Sequence, residues 1–180
     1  MKGTTIGLEN LQLYSERMEI KIREYTTADY DRLLIMETDL IDEMSIIDPH
    51  KRFRSRKDFN PRKYFDALLQ ELFEHQGKII VAEMDGNIVG YLMGKIVHRR
   101  EVDNENKYPA IQGYIEGLFV DAAHRGKGVS SQLITEIEKY FREQKCDYSS
   151  VACVSVNEAA RNLYTKAGYG EQYIDYIKKL

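Results

Sequence analysis

The sequence predicts an α/β (α+β) domain: one mixed, mainly antiparallel central sheet of about six to seven strands, flanked by about four helices. Three observations carry this reading. Apolar runs from Lys78 to Glu83 and from Ile88 to Val97 are joined by Asp85-Gly86-Asn87, the signature of an antiparallel hairpin. The strand-like stretch Tyr114 to Val120 leads through a glycine-containing loop into a long amphipathic helix. Beyond the hairpin the order runs β, α, β, α, β, and no repeat, low-complexity stretch or linker divides the chain.

Taken in order, Glu19 to Tyr25 alternates as a strand, and Thr26-Thr27-Ala28-Asp29 supplies caps for a helix. Leu33, Leu34, Met36, Leu40, Ile41 and Met44 keep helical spacing until Asp48-Pro49 stops it. The basic run His50 to Lys57 reads as a solvated loop. Asn60-Pro61 opens a second helix, with Tyr64, Phe65, Leu68, Leu69, Leu72 and Phe73 on its apolar face and an end near Gly77. After the hairpin, the polar residues His98 to Lys107 form a loop. The next helix, Gly126 to Gln144, buries Val129, Leu133, Ile134, Ile137, Tyr140 and Phe141. Tyr148 to Val156 is a further strand, Asn157 to Ala167 the last helix, Gly168 its left-handed terminator, and Tyr173 to Ile177 a final strand.

A chain of 180 residues, 43% hydrophobic with 13 Tyr and 6 Phe, has the material for one domain with a real core. Residues 18–180 are assigned to it and residues 1–17 to an N-terminal extension. The formal charge of -3 arises from interspersed acidic and basic residues, so no global field favours nucleic acid or an anionic membrane. No apolar run is long enough to span a bilayer, and Met1 to Arg17 is too polar for a signal-peptide core, which gives a cytoplasmic expectation. Cys146 and Cys153 lack the spacing of a zinc site, and His50, His75, His98 and His124 lack ligand spacing, so no metal is expected.

The chemistry concentrates in the segment from Gly117 to Ser131. Backbone N–H groups at a helix start have no partner within the helix and meet the positive end of its dipole, so they bind anions. Gly126 and Gly128 allow close approach of a phosphate to the backbone, and Arg125 and Lys127 add charge. A P-loop pattern is absent, because Asp121 stands five residues before Gly126 and Gly128 follows Lys127. A dinucleotide fingerprint is only half met, with Ser131 in place of its third glycine.

The run His124-Arg125-Gly126-Lys127-Gly128-Val129-Ser130 resembles the acetyl-CoA pyrophosphate loop of the GNAT superfamily of N-acetyltransferases, R/Q-x-x-G-x-G/A, with Ser130 in the last small position. Downstream, Asn157 to Tyr169 resembles the superfamily's second block, N-x-x-A-x-x-L-Y-x-K-x-G-F/Y. The resemblance covers the chain from about Glu19 to its end. It implies the GNAT fold and acetyl-CoA as co-substrate. Leu118, Phe119 and Val120 would pair through their backbone with the pantetheine arm, and Arg125, Gly126, Lys127, Gly128, Val129 and Ser130 would cradle the pyrophosphate. Asn157 would bond the cofactor arm, and the Tyr164 hydroxyl would lie near the thioester sulfur as acid for the departing thiolate.

Attack also requires a neutral amine and a donor for the developing oxyanion, such as a backbone N–H near Phe119 or Val120. Glu116 is the candidate base, a carboxylate within an apolar strand that a period of two places on one face with Tyr114, Leu118 and Val120. The expected acceptor is a primary amine of a small molecule, since the strand Tyr114 to Val120 is similar to that of small-amine acetylating members; the rivals are a protein or peptide acceptor and a non-catalytic acyl-CoA binding module. Asp39, Asp42, Glu43 and Asp48 read as a solvated helix face whose field the adjacent Lys51 to Lys57 offsets. Tyr173 to Ile177 and residues 1–17 offer surfaces for a homodimer.

Overall fold

The computed structural model describes residues 19–98, 108 and 110–180. The expected N-terminal extension and most of the loop after His98 lie outside them. Five strands form one sheet in sequence order: β1 Lys21–Glu24, β2 Lys78–Met84, β3 Asn87–His98, β4 Ile111–Val120 and β5 Tyr148–Val151. Neighbours are antiparallel except β4 and β5, which run parallel. The helices are α1 Tyr30–Ile47, α2 Pro61–Glu74, α3 Val129–Glu143 and α4 Glu158–Lys166.

Local sequence accounts for most boundaries. The Asn60 side chain accepts the Lys63 N–H at 3.0 Å with Pro61 following it, so α2 starts where capping chemistry dictates. Ahead of α1, Thr26 and Asp29 cap reciprocally, and the Arg23 fork grips both oxygens of Asp29 at 2.7 and 2.9 Å, which pins β1 to the helix start. The β2–β3 turn places Asp85 at φ 50° and Gly86 at φ 75°, the conformation a tight hairpin needs. Gly168, at φ 92°, follows α4 as expected.

The sheet is covered on both faces. On one, α3 contributes Leu133, Ile134, Ile137 and Phe141 to a core with Ile80, Leu92, Ile96 and Ile115. On the other, Leu33 and Met36 of α1 and Phe65, Leu68 and Leu72 of α2 pack on Val81, Tyr91, Met93 and Phe119. Gly94 and Gly113 lie under the Phe141 ring, where an added methyl would come within 2.7 and 2.3 Å of it.

Two expectations need correction. The strand expected from Tyr173 to Ile177 is not formed, and the described residues give a sheet of five strands, slightly fewer than the six to seven expected. The residues from 173 to 177 run apolar, apolar, polar, apolar, apolar, without the alternation that lets one face of a strand pack. Tyr173, Ile174 and Tyr176 are exposed. The strand expected from Tyr148 to Val156 stops at Val151, where its pairing with β4 ends.

Candidate active site

The site begins with an irregularity in β4. Met93 pairs with Gly117 and Gly94 with Ile115, so Glu116 is an extra residue with no partner across the ladder, a β-bulge. Side chains change faces there. Ile115, Leu118 and Val120 join the α3 core, whereas Gly117 and Phe119 face α1 and α2, and Glu116 reaches Lys95, whose ammonium also lies over the Tyr114 ring. The expectation that Glu116 shares a face with Leu118 and Val120 therefore fails, because one inserted residue inverts the period of two. Pairing of β4 with β5 covers Gln112 to Ile115 only. From Glu116 to Val120, β4 keeps β3 on one side and, among the described residues, presents an open edge on the other. Leu118, Phe119 and Val120 sit on that edge, as a strand-like ligand would require; the Val120 carbonyl is already used by Arg125 Nε, at 2.8 Å.

Beyond β4, a single 3-10 turn at Ala122–His124 leads into α3. Gly126 and Gly128 take φ of 76° and 86°, a left-handed conformation that glycine adopts without penalty. A methyl added at either would meet no atom within 4 Å. The N-cap of α3 is Gly128, no side chain caps the helix, and no acidic residue occupies its first turn. Its first N–H groups are left for an external anion. The Val129 side chain is buried in the core, so only its backbone can serve, and Lys127 is exposed beside the loop. Arg125 turns inward. Besides Val120 it engages Glu43 at 2.7 Å and stacks 5.4 Å from the Phe119 ring centroid, so its guanidinium braces loop, strand and α1.

On the opposite face of the bulge lies a pair of carboxylates. Glu116 Oε2 is buried, 2.7 Å from Lys95 Nζ, and Lys95 also contacts Glu71 at 2.7 Å. Burial draws the Lys95 ammonium down, and the two carboxylates more than offset this, leaving it above its ordinary value. Glu37 of α1 is the second, and sequence reasoning missed it. It is 5% exposed and accepts a short hydrogen bond from the fully buried Tyr91 hydroxyl. Burial, and then the charge of Glu116, raise its carboxyl to about 7, against the opposing pull of the Tyr91 hydrogen bond. The signal was present: Glu37 stands four residues after Leu33 and three before Leu40, a carboxylate within the apolar stripe of α1. Tyr64 of α2 borders the pair, its phenol pushed up to about 12 by burial first and then by Glu37 and Glu116.

Asn157 and Tyr164 are brought to the same region by α4. The Asn157 Oδ1 accepts the Ala160 N–H at 3.1 Å, so this oxygen caps the helix and its amide nitrogen is left to donate. The Tyr164 ring lies 5.9 Å from Tyr169, whose hydroxyl is 2.6 Å from Ser149 Oγ of β5. Burial holds the Tyr164 phenol above its usual value, with smaller contributions from Cys153, Tyr169 and Tyr114. Tyr114 interacts electrostatically with Glu116 as well as with Tyr164. Three of the four acidic residues expected on a solvated face are ion-paired, Asp39 and Asp42 with Arg56 and Glu43 with Arg125, while Asp48, just past the end of α1, accepts the N–H groups of His50 and Arg52. The basic run His50 to Lys57 is the exposed loop expected, with Arg56 reaching back to α1. Among the described residues, no cluster of His, Cys, Asp or Glu is disposed to hold a metal, and no helix is long and apolar enough to cross a membrane.

Known proteins resemble this chain in sequence or in fold. A probable N-acetyltransferase of Arabidopsis thaliana, HLS1, is 39% identical over 59 residues, 32% of this chain and 15% of that protein. An uncharacterized N-acetyltransferase of Methanocaldococcus jannaschii, MJ1530, is 32% identical over 93 residues, 51% of this chain and 52% of that protein. The chain thus spans about half the length of one of these curated relatives and 15% of the other. Among solved structures, a mutant of the BH1408 protein of Bacillus halodurans superposes with a TM-score of 0.76 at 22% identity, covering 89% of this chain and 99% of that one. An aminoglycoside acetyltransferase, AAC(6')-Iy, bound to a bisubstrate analogue of CoA superposes with a TM-score of 0.65 at 19% identity, covering 90% and 99%. The model of the acetyltransferase (GNAT) family matches residues 14–169, and the chain belongs to that family.

Proposed function

We propose that the chain transfers the acetyl group of acetyl-CoA to a primary amine, by direct attack while both substrates are bound. The observation that carries this reading is the conjunction at β4: an open strand edge, an uncapped helix N-terminus after two left-handed glycines, and a carboxylate pair behind the bulge. These residues fit the co-substrate. The N–H groups of Val129 and Ser130, with Lys127 beside them, would hold its pyrophosphate, and the edge from Leu118 to Val120 together with the Asn157 amide would hold its arm. Bound there, the thioester supplies an activated acetyl group.

The chain's own groups do the rest. Glu116, fixed by Lys95, holds the acceptor's ammonium against β4. Tyr164, kept protonated through the neutral range by burial, donates to the sulfur as negative charge develops on it. A backbone N–H near Phe119 or Val120 stabilises the oxyanion. The acceptor in this reading is a small molecule, in line with the aminoglycoside acetyltransferases that share the fold. A protein N-terminus is the second reading, favoured by a 26% identical relative over 146 residues, the N-alpha-acetyltransferase MAK3 of Arabidopsis thaliana.

Gly128→Ala tests the cofactor half. The methyl meets nothing within the protein, so folding loses only the left-handed strain of about 1–2 kcal/mol. It lies at the helix start where phosphate oxygens must approach. Calorimetric titration with acetyl-CoA should show binding at least about tenfold weaker, a loss of about 1.4 kcal/mol. Unchanged affinity would remove α3 from the cofactor site.

A further inference from the structure

We infer that Glu37 is the proton acceptor of the reaction, the group that receives the proton an acceptor ammonium must lose before its nitrogen can attack. The inference rests on the acetyl-transfer reading and assigns the base within it. Its ground is position. The Glu37 Oε2 lies 3.6 Å from the point where a Cβ on Gly117 would stand, so the absent side chain leaves the carboxyl facing β4 at the residue beside Glu116. That is also where β4 parts from β5 and its open edge begins.

The two carboxylates differ in what surrounds them. Glu116 has a cation, Lys95, which Glu71 also holds. Glu37 has none: among the described residues no Lys, Arg or His pairs with it, and it accepts its hydrogen bond from the Tyr91 hydroxyl. A buried carboxylate without a counter-ion has high affinity for a proton, the property a base requires, while one already ion-paired with an ammonium is better suited to holding charge in place. The groups that act on Glu37 are Tyr91 from β3, Glu116 from β4 and Tyr64 from α2; beyond them Lys95 and Tyr114 interact with Glu116, Glu71 with Lys95 and Tyr64, and Asp39 further along α1 is tied to Arg56. Lys95 is committed to Glu116 and Glu71, so no cation in this set answers Glu37.

The transfer balances. An N–H bond of the ammonium breaks, an O–H bond forms on Glu37, and the freed electron pair attacks the thioester carbon. The C–S bond then breaks, and the leaving sulfur takes the proton that Tyr164 offers. The acylated nitrogen gives its second proton back to the Tyr164 phenolate, and the proton held on Glu37 leaves to solvent. Raised to about 7, Glu37 is ionised and competent only on the alkaline side of neutrality.

The test is the pH profile of kcat/KM for thiol release from acetyl-CoA, with putrescine, kanamycin, lysine and a short unblocked peptide as acceptors. Wild type, Glu37→Gln, Glu37→Asp and Glu116→Gln are compared. The wild-type rate should rise with pH and level near 7. Glu37→Gln should lose this inflection and fall about a hundredfold or more on the plateau. Glu37→Asp, which keeps a carboxyl, should keep the inflection at a reduced rate. Glu116→Gln should keep it too but shifted to lower pH, because the charge that raises Glu37 is gone. A Glu37→Gln variant that retains the inflection, or stays within about threefold of wild type, overturns the inference. So does a loss that is equal at every pH with the inflection unmoved. If wild type releases no thiol with any acceptor, the acetyl-transfer reading fails and this inference with it, so the wild-type rate alone tells the two failures apart.

Discussion

Replacing Tyr164 by Phe should lower kcat about a hundredfold and leave acetyl-CoA affinity within about twofold, because a donor to the leaving group acts only as charge develops in the transition state. The ring is held independently of its hydroxyl. It packs against Tyr169 and the α3 core, so the phenylalanine variant should keep the same position and near-normal stability. Stopped-flow thiol release with a saturating acceptor, beside calorimetry for acetyl-CoA, separates the two quantities. A hundredfold loss in affinity with kcat intact would make Tyr164 a binding residue instead.

The second large effect concerns stability, at Glu37. A carboxyl raised from 4.5 to about 7 binds its proton more tightly folded than unfolded. Between those values the native state carries the extra proton, so stability falls as pH rises. The contribution is fully present below about 4.5 and lost as pH passes 7, an amount of roughly 3 kcal/mol. In Glu37→Gln this pH-dependent loss should vanish, since the amide does not titrate. Its new N–H groups have no assured acceptor, so the absolute stability at low pH should lie below wild type while the curves converge or cross above neutrality. Urea unfolding at pH 5 and at pH 8 measures the difference. Parallel curves would mean that Glu37 titrates at its ordinary value. A site residue that costs stability in its working state is what a base held in apolar surroundings entails.

Much of the fold was legible because its signals are local. Asn60-Pro61, Asp85-Gly86 and Gly168 each name a cap or turn whose chemistry needs no distant partner, and α3 shows its buried face directly in Val129, Leu133, Ile137 and Phe141. The two-glycine loop that leads into α3 was legible for the same reason, as an unbroken run from Arg125 to Ser130. Non-local features were not. A bulge adds one residue without changing composition, so nothing between Tyr114 and Val120 marks where the faces exchange, and Leu118 and Val120 were set on the wrong side. The strand expected at Tyr173 to Ile177 failed because forming it depends on an edge to pair with, which propensity alone does not provide. Glu37 needed the opposite correction. Its place in the stripe of α1 was readable, but its significance came only when Tyr91, Gly117 and Glu116, far apart in the chain, were brought against it. Arg125 shows the same limit: the motif places it beside the anion site, while the fold turns its guanidinium back to Val120 and Glu43.

Acetyl transfer at the β4 edge is tested most directly by incubating the purified protein with acetyl-CoA and the panel of putrescine, kanamycin, lysine and an unblocked peptide. Free thiol and acetylated amine are followed together, the second by mass spectrometry. The account predicts thiol release that requires one class of amine and matches the acetylated product one to one. Thiol release without any acetylated amine, or no binding of acetyl-CoA at all, would contradict it.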